Sequence, residues 1–194
     1  TLVDAAAVTA ILQGVVDNAL DSLVGVDIDD HQVLAYDVAH AAAAIAAATN
    51  LLVYGANGDA EAQLTIAFVA DVAHDVSVRV LGREASWGCE LSALDGVREF
   101  MSAGRDPALL ASLVSGAPNH LDEDFELVAE TFRRFTDDQI VPIAEHIHRT
   151  NSNIPEDLIG GLAELGVFGL SAPVEYGGFA EGNASDYLGM VVAT

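Results

Sequence analysis

The chain has 194 residues, 52% of them hydrophobic, with 30 Asp and Glu against seven Arg and no Lys, for a formal net charge of −23. That length allows one or two domains with a buried core, while the charge repels phosphate backbones and anionic bilayers, so neither nucleic acid nor a membrane is an expected partner. No run reaches the ~18 uninterrupted apolar residues of a membrane helix, no basic segment leads into an apolar one as in a signal peptide, and a single cysteine, Cys89, excludes an intrachain disulfide and a thiolate zinc site.

Cys89 has no adjacent base in Trp87-Gly88-Cys89-Glu90 and reads as an ordinary reduced thiol of a cytoplasmic protein. The acidity fits either an ordinary soluble protein or one adapted to high salt. The chain opens on Thr1 and stops within a helical pattern, so both ends are expected to be cut.

In chain order, the patterns are helical throughout. A first helix is predicted over 2–24. Leu34, Val38, Ala41, Ile45, Ala48 and Leu52 step by three and four and predict a helix over 31–54. Asn57-Gly58 then reads as an interhelix turn. Ile66, Val69, Ala73, Val76 and Val80 repeat the stepping and predict a helix over 59–84, followed by shorter ones over 91–103 and 106–115. Ser115-Gly116-Ala117-Pro118-Asn119 collects loop formers and marks a domain boundary, giving domains 1–118 and 119–194.

Beyond it, Phe125, Val128, Phe132 and Phe135 continue past Pro142 through Ile143 and Ile147, predicting a helix over 121–149 that Pro142 kinks by removing a hydrogen bond. A helix over 155–165 follows, with Pro155 suited to its first position, Glu156 and Asp157 at the positive end of its dipole, and Leu158, Leu162 and Leu165 on one stripe. Gly166 suits a left-handed C-terminal cap. A last helix covers 184–194. No period-two alternation occurs, so the fold class is all-α.

Few constellations carry chemistry. Asp37 with His40, Asp71 with His74, and Glu145 with His148 share the i, i+3 spacing of ligand pairs in di-metal helical bundles. Two of the three use Asp, and no matched second set of Glu accompanies them, so no metal is expected. Asp75 and Arg79 are spaced to pair on one helix face, with Arg83 beside them. Arg133-Arg134 reads as helix surface. Gly177-Gly178 lacks the following Lys of a phosphate loop, and no G-x-S-x-G elbow occurs.

The segment Leu162, Glu164, Leu165, Gly166, Pro173, Glu175, Tyr176, Gly177, Gly178 resembles the N-terminal helical domain of acyl-CoA dehydrogenases, where an LxELG helix end runs into a P-x-E-Y-G-G loop. Phe132, Phe135, Ile140, Pro142 and Ala144 resemble the family's first long helix, and Tyr187 to Thr194 the helix after the loop, so the likeness spans Leu121 to Thr194. FAEGNASD, after Gly178, is longer than the family's loop and is expected to be flexible. Tyr54-Gly55 followed by LTIAFVADVAHDVSVRVLGREASWG resembles the last helices of the family's C-terminal bundle. The N-terminal extension and the run ELGVFG resemble members acting on short branched dicarboxylic thioesters.

The resemblance implies α,β-dehydrogenation of an acyl-CoA thioester, with a glutamate base removing the α-proton and FAD accepting the hydride. It implies an electron-transfer flavoprotein as redox partner and a homo-oligomer. Flavin site and base lie in the family's later domains, so FAD is expected to be held mainly outside this chain, and no catalytic residue is assigned here. Tyr176, Gly177, Gly178 and Phe179 are the residues it places beside the substrate. The rival class is a stand-alone helical binding or scaffold module without catalytic activity.

Overall fold

The alanine-rich stripes become the inner faces of three long helices. These are α1 (Leu2–Ser22), α2 (Gln32–Tyr54) and α3 (Asp59–Val80), each packed on the other two. Val8, Leu12, Val15 and Val16 of α1 meet Leu34, Val38 and Ile45 of α2 and Val69, Val72 and Val76 of α3 in one core. Alanines 5, 19, 41, 48 and 73 fill the remaining core-facing positions. Their small side chains let the helix backbones approach closely, and the branched residues supply most of the buried apolar area. The computed structural model describes all of residues 1–194 and divides them into two compact units, Thr1–Pro118 and Asn119–Thr194.

Two connections in the first unit are set by single glycines. Gly55 opens a 3-10 turn (Gly55–Asn57) between α2 and α3; a Cβ there would stand 2.7 Å from Thr65 Oγ1 and 2.8 Å from Leu2 Cδ2. The buried Thr65 hydroxyl lies within hydrogen-bonding distance of the carbonyls of Leu51 and Glu61, tying the turn to both helices. At the far end, α3 stops at Val80, short of the expected 84. Leu81 leaves helical geometry and Gly82 turns left-handed at φ +77°, its N–H bonded to Glu84 Oε1 at 2.9 Å. The loop that follows drives Trp87 into the core, fully buried, with Cys89 packed beside it. Burial first, then the charges of Glu84 and Glu90, push the Cys89 thiol above its ordinary pKa, which suits an unreactive thiol.

The predicted 91–103 helix is a 3-10 segment (Leu91–Val97) running into α4 (Arg98–Gly104), and 106–115 is α5 (Pro107–Ser112) with a closing 3-10 turn. α1 and α2 have the length and apolar composition of membrane spans, yet most of their bulky branched residues point into the bundle core. One isolated bridge, Pro173 to Ala180, is the nearest approach to strand pairing, and the fold is all-α.

Each carboxylate of the three acid-x-x-His pairs is held by arginine. Asp37 on α2 receives Arg79 from α3 and Arg83 from the loop that follows it, both at 2.5 Å, and Arg79 also bonds Asp75 at 2.8 Å. Asp71 pairs with Arg105 at 2.9 Å and Glu145 with Arg149 at 2.8 Å. Burial raises the pKa of Asp37, but the bonds from Arg83 and Arg79 together outweigh it, leaving the group below its ordinary value.

Asp37→Ala should therefore weaken the first unit by roughly 2 kcal/mol at neutral pH, because two partly buried guanidinium groups lose their shared acceptor. Since the folded-state pKa is depressed, the contribution is complete above the unfolded pKa and is lost as pH falls through the folded value. Urea unfolding of wild type and variant should differ clearly at pH ~7 and converge only in acid, below the ordinary aspartate range. An equal difference at both pH values would show that the carboxylate is not the source.

In the second unit, α6 (Glu123–Phe135) and α7 (Val141–Thr150) are joined by a π-turn over Thr136–Ile140. The half-buried residues explain it. Phe125, Val128, Phe132 and Phe135 step by three and four, Ile140 follows after five, and Ile143 and Ile147 resume the normal stepping. At 100° per residue, a five-residue step in a straight α-helix would carry Ile140 ~140° off the stripe. The wider turn absorbs the extra residue; Val141 N–H bonds Thr136 O, five back. The interruption expected at Pro142 thus takes this form, one turn upstream, where the proline ring would otherwise crowd the carbonyl of Asp138. No residue of this unit is fully buried.

Candidate functional site

The site develops from the end of α8 (Glu156–Glu164). Pro155 precedes the helix as its cap rather than filling its first turn, and its carbonyl accepts the N–H groups of Leu158 and Ile159. Leu165 ends the helix and Gly166 takes the left-handed conformation at φ +81°, the expected cap. The chain then closes a tight double loop. Phe179 N–H donates to Gly169 O at 2.9 Å, Ala180 N–H to Ala172 O at 3.0 Å, and Gly178 N–H to Pro173 O at 3.2 Å.

The four residues singled out in the sequence lie together in this loop but do different work. Tyr176 ends a 3-10 turn (Val174–Tyr176) with its side chain 78% exposed. Gly177 is left-handed at φ +83° with open space around it. Gly178 is the crowded one: a Cβ would stand 2.0 Å from the carbonyl oxygen of Ala172. Phe179 lays its ring over the bare α-carbons of Gly166 and Gly169, where added Cβ atoms would come within 2.8 and 3.0 Å of it. Two of the four therefore hold the loop shut, while Tyr176 and Phe179, the latter 61% exposed, both remain open to another molecule.

A groove of about 410 Å³ opens on the other side of the loop, between Leu170, Ser171 and Pro173 and the residues Asp186, Tyr187 and Met190 of α9 (Ala184–Ala193). None of the four sequence-picked residues lines it. The stretch expected to be flexible is tied down by one carboxylate. Asp186 Oδ2 accepts the N–H groups of Glu181, Gly182 and Asn183 at 3.0, 2.7 and 2.9 Å, while Asn183 caps the helix in return. The Asn-x-x-Asp spacing of a capping box was the available signal.

The bond from Asn183, aided by those from Glu181 and Gly182 and opposed by slight desolvation, holds Asp186 below the ordinary aspartate pKa. With its folded pKa depressed, the latch is complete above the unfolded value and opens as pH falls through the folded one. Asp186→Ala should speed amide exchange at 181–183 at neutral pH, while wild type should approach the same rates, after correction for intrinsic exchange, only in acid. Unchanged exchange in the variant would refute the latch.

The arginines of the second unit are all engaged by carboxylates, Arg133 and Arg134 by Glu130 and Arg149 by Glu145. No glycine-rich turn opens a helix as a pyrophosphate cradle does.

Residues 122–194 match the family described as acyl-CoA dehydrogenase, N-terminal domain. The second unit therefore belongs to the acyl-CoA dehydrogenase family as an N-terminal domain. The chain is 40% identical over 101 residues to (2S)-methylsuccinyl-CoA dehydrogenase of Cereibacter sphaeroides, a match covering 47% of this chain and 18% of that protein. It is 34% identical over 61 residues to 3-(aryl)acrylate reductase of Clostridium sporogenes (strain ATCC 15579), covering 31% of this chain and 16% of that protein. The chain thus spans less than a fifth of the length of these curated relatives. No solved structure matches it.

Proposed function

We propose that this chain is the N-terminal part of an FAD-dependent acyl-CoA dehydrogenase that introduces an α,β double bond into an acyl-CoA thioester, with methylsuccinyl-CoA as the favoured substrate. The observation that carries the reading is the second unit's family match together with the 40% identity to a methylsuccinyl-CoA dehydrogenase. The loop geometry supports it: the P-x-E-Y-G-G segment folds on itself and leaves Tyr176 exposed. This chain would supply a wall of the substrate site. FAD supplies the redox chemistry and would be held mainly by parts of the protein outside residues 1–194, with the catalytic base. A cytoplasmic location, an electron-transfer flavoprotein as acceptor and a homo-oligomeric state complete the proposal.

The test is to read the gene past the codon for Thr194 and assay its product. The expected result is a β domain followed by a helical one, and bleaching of the flavin band near ~450 nm on adding methylsuccinyl-CoA. An encoded protein lacking those domains would favour the helical scaffold module. A yellow protein that no saturated acyl-CoA bleaches would refute the dehydrogenase reading.

A further inference from the structure

In a chain with 30 carboxylates, six of the seven arginines stand within ion-pair distance of one. Arg98, the first residue of α4, is the exception: it makes no ion pair, although Asp95 lies three residues before it. It lines a mainly apolar groove of about 370 Å³ in the first unit, between the end of α3 and the 91–101 segment, whose other polar residues are His74, Ser77 and Asp95. Leu94 and Val97 form its buried floor. Val78, Leu81 and Leu91 form walls that are 58%, 64% and 44% exposed. Met101 lines it as well.

An unpaired guanidinium beside exposed branched side chains specifies an amphiphile. The planar fork matches a carboxylate, and the walls would bury methylenes. The volume lies at the low end of small-ligand pockets. A docked helix would need an interface above ~1,000 Å², more than a groove of this size offers. We propose that this groove binds a medium-length alkanoate, with its carboxylate on Arg98 and its chain against Leu81 and Leu91. The proposal is independent of the dehydrogenase reading.

The chain has two methionines: Met101 in the groove and Met190 in the second unit. Methyl-¹³C labelling therefore gives two resolved reporters. Residues 1–194 would be titrated with octanoate and, separately, with octan-1-ol. The expected result is a saturable shift of Met101 with octanoate, no shift of Met190, and binding of the alcohol about tenfold weaker. Arg98 is exposed, so Arg98→Gln should leave the fold intact by circular dichroism and weaken octanoate to the level of the alcohol. Leu81→Glu, also at an exposed site, should remove both responses. The proposal is overturned if Met101 does not move, if Met190 moves in parallel, or if Arg98→Gln titrates like wild type. A Met101 shift that follows protein concentration without octanoate would overturn it as well, by showing a second copy in the groove.

Discussion

Gly178→Ala is expected to open the loop at Gly166–Ala180, removing protection from the amides of Phe179 and Ala180 by about a hundredfold or more. The cause is contact, not backbone conformation. The new methyl would stand 2.0 Å from Ala172 O and 2.5 Å from Ala172 Cβ. Both belong to Ala172, whose carbonyl accepts Ala180 N–H, so relief of the clash breaks that bond. Overpacking of this kind costs ~1–3 kcal/mol even where side chains can yield; here backbone must yield. Gly182→Ala is the control. Gly182 is left-handed at φ +84° with nothing within 4 Å, so alanine there meets only the ~1–2 kcal/mol of a left-handed non-glycine residue. Hydrogen exchange of both variants checks the order: an equal loss would mean that crowding at Ala172 is not what requires glycine.

Trp87→Ala should destabilise the first unit by about 3–5 kcal/mol, the largest single loss expected there. Trp87 is fully buried beneath the loop that follows α3, and it joins Leu94 and Val97 to the three-helix core. Its indole Nε1–H is buried without a hydrogen-bond partner. That changes the ranking of replacements. Trp87→Phe loses volume but also removes an unsatisfied donor worth ~1–3 kcal/mol, so it should cost no more than about 2 kcal/mol. Unfolding is best followed by far-UV circular dichroism, since Trp87 is the sole tryptophan. A phenylalanine variant as unstable as the alanine one would show that the indole N–H is not a liability.

What the sequence revealed divides along physical lines. The stripes Leu34–Ala48 and Val69–Val80 are legible because three-and-four stepping has one structural meaning, and those residues are the buried ones. Trp87 is not legible, since it follows a helix stop and belongs to no periodic series. The stop itself, Gly82, is a helix-end signal, and α3 ends at Val80, four residues before the expected 84. In the second unit, the glycines of the Tyr-Gly-Gly turn announce that a backbone requirement exists, but residue order cannot say which glycine answers which need. The structure assigns left-handed geometry to Gly177 and close approach to Gly178. Phe179, a ligand contact by resemblance, also packs over two glycines, a role that residue order does not show. The groove beside α9 depends on where Asp186 pulls the preceding loop, a long-range outcome that spacing alone does not encode.

The π-turn at Thr136–Ile140 also bears on how chains of this kind can vary in length. A residue removed from α6 or α7 would rotate everything beyond it by ~100° and turn half of the Phe and Ile stripe outward. A residue removed within 136–140 would restore an ordinary helical turn and leave both halves in phase. Among aligned sequences, single-residue gaps in this helix should therefore collect at these five positions. A shortened protein lacking Asp137 should keep its helical content, whereas one lacking Glu130 should not.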